Sequence, residues 1–413
     1  MDLNQDEQNA LKCHDGPLAQ FAMELVGQAG QIWGAERLID VSFAHLDACH
    51  YYGRAHLDFV RMLTDQRARF AVPTWGNTLS VSLLENHSRT AADPSFVAEA
   101  REVARLYADL GCQPVWTCAP YLLPNGPQFG DQIIGSESNA VAYYNAVIGA
   151  RTQKYGDFLD VACALLGKAP LAGLHTDAGR AASLVLDFSS VTRWGEEATY
   201  ALIGAVMGQA AGRDVPVLTG IPMGVSDDAL KNLAATGGAT GGVAHFHVLG
   251  RTPEAPTLEI ATQGRSVETQ TFNDADLEAA RGRLSSVRPG TKLSMVALGT
   301  PHFSVSEFAA LAVALDGLQL HPDVTCYVST SRFVADIARE EGSLEVLERA
   351  GVQVLVDTCT YFSPAVKAAK GPVMTNSGKW AYYAPGMLPV EVALGSIAEC
   401  AQSAVCGEVV RHG

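Results

Sequence analysis

Cys118 and Cys359 each follow a threonine at the end of an apolar run, in Thr117-Cys118-Ala119-Pro120-Tyr121 and in Asp357-Thr358-Cys359. Thiolates held on rigid loops suit soft metals, iron–sulfur centres among them. A buried free cysteine serves equally well as a small apolar filler. Cys49, in His45-Leu46-Asp47-Ala48-Cys49, has the same two readings, and no CxxC spacing decides between them. Around Cys118 the chain gathers more polar chemistry than a core would take. A Pro/Gly-rich bend (124–130) leads to Gly135-Ser136-Glu137-Ser138-Asn139, and an apolar run then ends in Gly149-Ala150-Arg151-Thr152. Ser136, Ser138 and Asn139 can cap the helix expected after them, and a helix N-terminus also binds a carboxylate or phosphate. Arg151 is either a solvated charge or a bidentate clamp for a carboxylate. Thr375-Asn376-Ser377 is a second candidate anion cradle, with Lys379 beside it as a point charge or proton carrier.

His45, His50, His245, His247 and His302 are candidates for ligation or acid–base work. His245 and His247 share one face of an expected strand but lack a neighbouring carboxylate in sequence. His302 follows a Gly-Thr-Pro turn after a strand, a better position for a site. The glycine-rich run 237–242 lacks the Lys-Ser/Thr ending of a phosphate loop, and no GxGxxG or GxSxG motif occurs.

The elements that must position these groups alternate. Short apolar runs at 38–43, 70–73, 183–188, 215–219, 243–249, 292–298, 324–329 and 352–356 read as strands. Helical spacing appears at 17–33, 55–65, 93–110, 139–150, 158–166, 196–209, 227–236, 274–284, 331–340 and 390–400. Strand, polar loop and helix in turn predict an α/β fold with largely parallel sheets. Sites in such sheets lie outside the carboxyl ends of strands, where each polar motif falls. With 413 residues the chain exceeds one ordinary domain. Three closely packed units are expected, at 1–195, 196–270 and 271–413.

A net charge of −15 argues against nucleic acid, because no basic surplus exists to neutralise phosphates. Residues 1–15 are polar and acidic, without the basic and apolar regions of a signal peptide, and nine cysteines lack regular spacing. Both point to a reducing, cytoplasmic setting. No run of ~18 uninterrupted apolar residues predicts a membrane span.

Taken in order, the motifs resemble the catalytic large subunit of the aconitase X family. The pieces that carry the resemblance are His45 to Cys49, Val72-Pro73-Thr74, Thr117 to Tyr121, Ser136 to Ser138 and Gly149 to Thr152. They continue with Phe246-His247, Thr252 to Ala255, Gly299 to His302, Asp357 to Cys359 and Thr375 to Ser377. The resemblance spans roughly residues 40–385. It implies an aconitase-like α/β fold, an iron–sulfur cluster and a hydro-lyase reaction on a small hydroxy acid. Members dehydrate cis-3-hydroxy-L-proline or mevalonate 5-phosphate, and a small swivelling domain, fused or separate, completes the site. The chain ends soon after the large-subunit motifs, which implies a separate small-domain subunit as partner.

Many members carry cysteine where this chain has Thr300. The resemblance therefore implies Cys49, Cys118 and Cys359 as ligands, with a [2Fe-2S] cluster favoured, and it leans towards the hydroxyproline branch. It implies Lys379, Ser136 and Ser138 in catalysis. Around the substrate it implies Arg151, Thr152, Asn139, His45, Thr74, His302, Asn376 and Ser377. Dehydration needs a base at the Cα proton and a Lewis acid at the leaving hydroxyl. The expected reaction converts cis-3-hydroxy-L-proline to Δ1-pyrroline-2-carboxylate. Dehydration of mevalonate 5-phosphate or of another hydroxy acid, and a cluster-less binding or scaffold subunit, are the alternatives.

Overall fold

Apolar runs of four to six residues closed by polar loops become short strands in three parallel sheets. The structure is a computed structural model and describes residues 1–84, 92–361, 366 and 369–412. In the first sheet Phe43–Leu46 lies between Thr74–Gly76 and Ile133–Gly135, with Cys112–Gln113 beyond Thr74–Gly76. The second runs Glu268–Asn273, Leu184–Ser190, Pro216–Thr219, His247–Val248. The third runs Gln353–Val356, Thr325–Thr330, Met295–Leu298, Val373–Thr375, Val392–Leu394. A separate antiparallel pair joins Leu38–Asp40 to Lys168–Pro170. Phe43–Leu46 and Met295–Leu298 are buried at every position. That is why their sequences read as continuous apolar runs: parallel sheets are covered on both faces. The expected α/β fold is therefore present.

Helices cover these sheets closely. Ala198–Ala211 and Asp227–Thr240 pack through glycine, and a Cβ on Gly204 would come 2.5 Å from the Leu233 carbonyl oxygen. The largest apolar cluster joins Leu186, Phe188, Leu202 and Phe246, in and around the second sheet, to Trp380, which follows a strand of the third, and it includes both Cys118 and Cys359. Among the described residues, no helix is long and apolar enough to cross a membrane.

Several elements depart from expectation. The helix expected at 139–150 is α-helical only over Ser138–Tyr143, then widens into a π turn over Tyr144–Ile148 that Gly149 ends at φ +80°. The cause is Asn145. Its side chain donates to the carbonyls of Thr152 and Ala244, both at 2.9 Å, and accepts from the Thr152 amide at 3.0 Å. The helix expected at 390–400 is a strand, Val392–Leu394, followed by a helix, Ile397–Cys406. Ser396 and Glu399 form the capping box that starts this helix. The strand expected at 243–249 shrinks to His247–Val248, and that expected at 70–73 lies at Thr74–Gly76. Sequence reading also passed over the helix Gly378–Met387, which Ser377 caps.

Polar residues follow several of these strand ends directly. Asp47 follows Phe43–Leu46, Asn77 follows Thr74–Gly76, and Ser136 follows Ile133–Gly135. From the third sheet, Thr300 to His302 come after Met295–Leu298, Cys359 after Gln353–Val356, and Asn376 to Lys379 after Val373–Thr375.

A candidate active site between the first and third sheets

The loops after these strand ends meet at one place. Ser377 accepts the Trp380 amide at 2.9 Å, which starts the helix, and its hydroxyl donates to the Thr300 carbonyl. Lys379 is thereby aimed across the sheet ends. Its side chain is 3% exposed, and Nζ donates to the Glu137 carboxylate and to Asn139 Oδ1 at 2.9 Å. Burial works against the charge, but Glu137, with Tyr361 and Cys118, outweighs it and holds the ammonium well above the usual lysine range. Glu137 also caps the helix that follows it, taking the Ala140 amide at 2.7 Å. Asn139 passes the connection on by donating to the Cys118 carbonyl at 2.8 Å.

The two cysteines face each other. Cys118 Sγ and Cys359 Sγ are 3.7 Å apart, and both are free thiols. Each stands two residues after a left-handed non-glycine residue, Trp116 at φ +39° and Asp357 at φ +73°. Strain of this kind persists only where surroundings enforce it. Here Arg332 grips the Asp357 carboxylate with two bonds of 2.8 Å. The His302 amide donates to Cys118 Sγ at 3.3 Å.

Cys118, His302 and Cys359 bring three donor atoms within 4.8 Å of one another. The imidazole, however, is committed on both sides. Nδ1 pairs with Thr117 Oγ1 at 2.9 Å and Nε2 with the Thr358 carbonyl at 3.1 Å. A carbonyl only accepts, so Nε2 carries the proton and Nδ1 accepts from the threonine. Burial lowers this histidine to about 3 and keeps it neutral. His302 thus braces the two cysteine loops against each other. Two further hydroxyls, Thr300 Oγ1 and Thr358 Oγ1, are buried with no partner among the described residues. Facing free thiols, an amide aimed at sulfur and orphan hydroxyls fit a thiolate-held metal better than an apolar core.

Cys49 does not join this group. Its thiol donates to the carbonyls of Leu46 at 3.4 Å and Asn77 at 3.2 Å, and burial pushes it well above the usual thiol range. It supports the Asp47 loop from beneath.

Beside the thiols opens a cleft of about 290 Å³, lined by Asp47, Asn77, Ser136, Glu137, Cys118 and Lys379. Ser138, Lys154, Tyr361 and Tyr383 also line it. Asn77 donates to the Asp47 carboxylate, and the Asp47 amide donates to Ser136 Oγ at 2.7 Å. Ser136 in turn donates to Asp160 Oδ2 at 2.7 Å. Withdrawal from water, reinforced by Asp157, pushes both Asp47 and Asp160 up to about 7.

Of the residues expected in the site, Cys118, Ser136, Ser138 and Lys379 line the cleft. His45, Asn139, Thr152, His302 and Ser377 buttress it. His45 Nε2 pairs with the Thr117 carbonyl at 2.9 Å, and Thr152 Oγ1 accepts the Gly135 amide at 2.9 Å. Three lie elsewhere. Thr74 bonds the Val72 carbonyl beside its own strand. Asn376 donates to Glu197 at 3.2 Å. Arg151 pairs with Asp177 at 2.6 Å and Glu254 at 3.6 Å. Asp47, Asn77, Lys154, Tyr361 and Tyr383 were not expected. The signal for the first two was their place immediately after a strand, hidden at Asn77 by the misplaced strand 70–73.

Comparison with known proteins gives the following. Residues 1–178 match the model of the aconitase X first domain, 182–282 that of the second and 293–406 that of the third. The chain is 41% identical over 409 residues to cis-3-hydroxy-L-proline dehydratase of Pseudomonas aeruginosa, covering 97% of this chain and 69% of that protein. It is 37% identical to the Hypocrea jecorina enzyme of the same name, covering 95% of this chain and 66% of that one. The large subunit of phosphomevalonate dehydratase from Thermococcus kodakarensis is 33% identical, with 93% and 95% covered. The crystal structure of Thermococcus kodakaraensis aconitase X in its holo form superposes with a TM-score of 0.87 at 32% identity, covering 98% of this chain and all of that one.

Proposed function

The chain belongs to the aconitase X family, and on that premise we propose that it is the large subunit of a hydro-lyase acting on cis-3-hydroxy-L-proline. The observation that carries this reading is the cleft itself, where a facing thiol pair adjoins a buried lysine–glutamate pair and a half-buried aspartate. Two relatives named for this substrate, at 41% and 37% identity, support it over mevalonate 5-phosphate, whose Thermococcus enzyme stands at 33%.

The reaction removes a proton from Cα and hydroxide from C3. The enamine formed then tautomerises to Δ1-pyrroline-2-carboxylate. Asp47 is proposed as the proton acceptor, because its carboxyl lines the cleft and Asn77 fixes its orientation. Lys379, which lines the cleft and shares an ammonium proton with Glu137, is proposed to donate to the departing hydroxide. Ser136 sets the Asp47 loop through its bond to the Asp47 amide. Cys118 and Cys359 are proposed to hold an iron–sulfur cluster, of [2Fe-2S] type. When bound, it supplies Lewis acidity for the leaving hydroxyl.

A small swivelling-domain subunit is proposed to cover the cleft. The chain spans 69% and 66% of the two hydroxyproline enzymes, and the Thermococcus relative is itself named a large subunit. Nine free cysteines support a reducing, cytoplasmic location. Anaerobic co-expression with a small-domain partner, followed by assay of cis-3-hydroxy-L-proline, tests the reading. Formation of Δ1-pyrroline-2-carboxylate is expected. Turnover of mevalonate 5-phosphate instead would overturn the substrate assignment.

A further inference from the structure

A substrate with a carboxylate needs a cation that the protein has not already spent. Lys379 is committed to Glu137 and Asn139. Arg151, the guanidinium nearest in sequence, is committed to Asp177 and Glu254. Its direction follows from the chain path. The run 151–154 lies alongside the strand Ile133–Gly135, bridging Gln132 to Arg151 and Gly135 to Lys154. Side chains alternate along such a run. Arg151 therefore faces the acidic pair, while Thr152 turns inward to the Gly135 amide. Lys154 falls on the opposite side from Arg151 and enters the cleft wall beside Ser136 and Glu137.

Lys154 is the cleft's uncommitted cation. Among the described residues its ammonium has no ion pair and no side-chain hydrogen bond. It also lines a second cavity of about 660 Å³, together with Arg213 and Gly242, so open space flanks it on two sides. The residue is exposed at the cleft rim; the desolvation its ammonium does undergo lowers its pKa, Glu137 opposes that, and Lys379 and Arg213 add to it. An arriving carboxylate would find an ammonium that no described side chain already holds.

We propose that Lys154 is the residue that binds the substrate carboxylate and that, as the one cation among the cleft's described residues without an ion partner, it selects a monocarboxylate over a phosphate ester. This rests on the dehydratase reading above and adds the anchor and the charge selectivity to it. A lone ammonium matches one carboxylate charge. A phosphate dianion would be left half-neutralised in a cleft that already holds Glu137 and Asp47.

The test uses the complex with its small-domain partner. Kinetics on cis-3-hydroxy-L-proline are measured for wild type, Lys154→Gln and Lys154→Arg. Affinities for pyrrole-2-carboxylate and pyrrole-2-carboxamide are measured by calorimetry on the same proteins. Lys154→Gln is expected to raise KM at least tenfold with kcat within about threefold, the pattern of lost ground-state binding. Wild type should favour the carboxylate over the carboxamide at least tenfold, Lys154→Gln should lose that preference, and Lys154→Arg should keep most of it. An unchanged KM and an undiminished preference in Lys154→Gln would overturn the assignment while leaving the dehydratase reading intact. A wild-type complex that binds the carboxylate through Lys154 but does not dehydrate hydroxyproline would overturn the substrate and keep the anchor. One that does neither overturns both.

Discussion

The Lys379 ammonium and the Glu137 carboxylate meet inside the protein although 242 positions separate them in the chain. Both side chains are nearly inaccessible, so each is the other's main compensation for lost hydration. Removing one partner leaves a buried, uncompensated charge. Lys379→Met is expected to cost about 3–5 kcal/mol of stability and to abolish dehydration. The double variant Lys379→Met/Glu137→Gln should recover most of that stability without recovering activity. Urea unfolding and turnover, measured on both, check this.

The thiol pair makes a separable prediction. Cys118→Ser or Cys359→Ser should strip iron and acid-labile sulfide from anaerobically purified protein. Cys49→Ser should leave both contents unchanged, since Cys49 spends its thiol on the Leu46 and Asn77 carbonyls. Iron loss in the Cys49 variant equal to that in the other two would return it to the ligand set.

Asp160 sets a pH dependence. Its folded-state pKa is raised to about 7 by burial, then by Asp157. Between about pH 4 and 7 the folded protein keeps a proton that the unfolded chain has released. Stability contributed by this group therefore falls as pH rises through that window and is flat above it, with a slope of at most about 1.4 kcal/mol per pH unit. Asp160→Asn should flatten the measured slope between pH 5 and 7. Asp47 and Glu307, also raised to about 7 by burial, would keep part of it.

Arg151 is expected to matter little for the substrate. Its ion pair with Asp177 is largely solvent-exposed on the aspartate side, at 79%. Arg151→Ala should change KM less than twofold and lower stability by about 0.5 kcal/mol. A tenfold rise in KM would show that the guanidinium turns into the cleft when substrate binds.

The alternation of buried strands and polar loops was legible because parallel strands are apolar on both faces and their loops are not. That Cys118 and Lys379 would come near one place was legible from the apolar runs before their motifs, and Ser136 from its place at the start of an expected helix; all three line the cleft. Asp47 and Asn77 directly follow strands, but both strands run on past their expected ends, to Leu46 rather than Phe43 and to Gly76 rather than Pro73, where a proline interrupts the apolar run. The commitments of Arg151 and Cys49 were not legible. Both depend on partners far along the chain, Asp177 and Glu254 for one and the Asn77 carbonyl for the other. The widened turn at Tyr144–Ile148 likewise depends on Ala244, about a hundred residues away.

Cys118 and Cys359 lie 241 positions apart, one on a loop of the first sheet and the other on a loop of the third. Their facing arrangement exists only after those two parts of the chain have docked, so under the proposed ligation metal capture follows that docking. Once made, a bond from each sulfur to a common centre closes more than half the polypeptide into a ring, which narrows the unfolded ensemble as a cross-link does. Under the proposed ligation, iron content also reports whether the two loops have docked. Oxidative loss of the centre should appear first as easier proteolysis between the two loops, before any change in helix content.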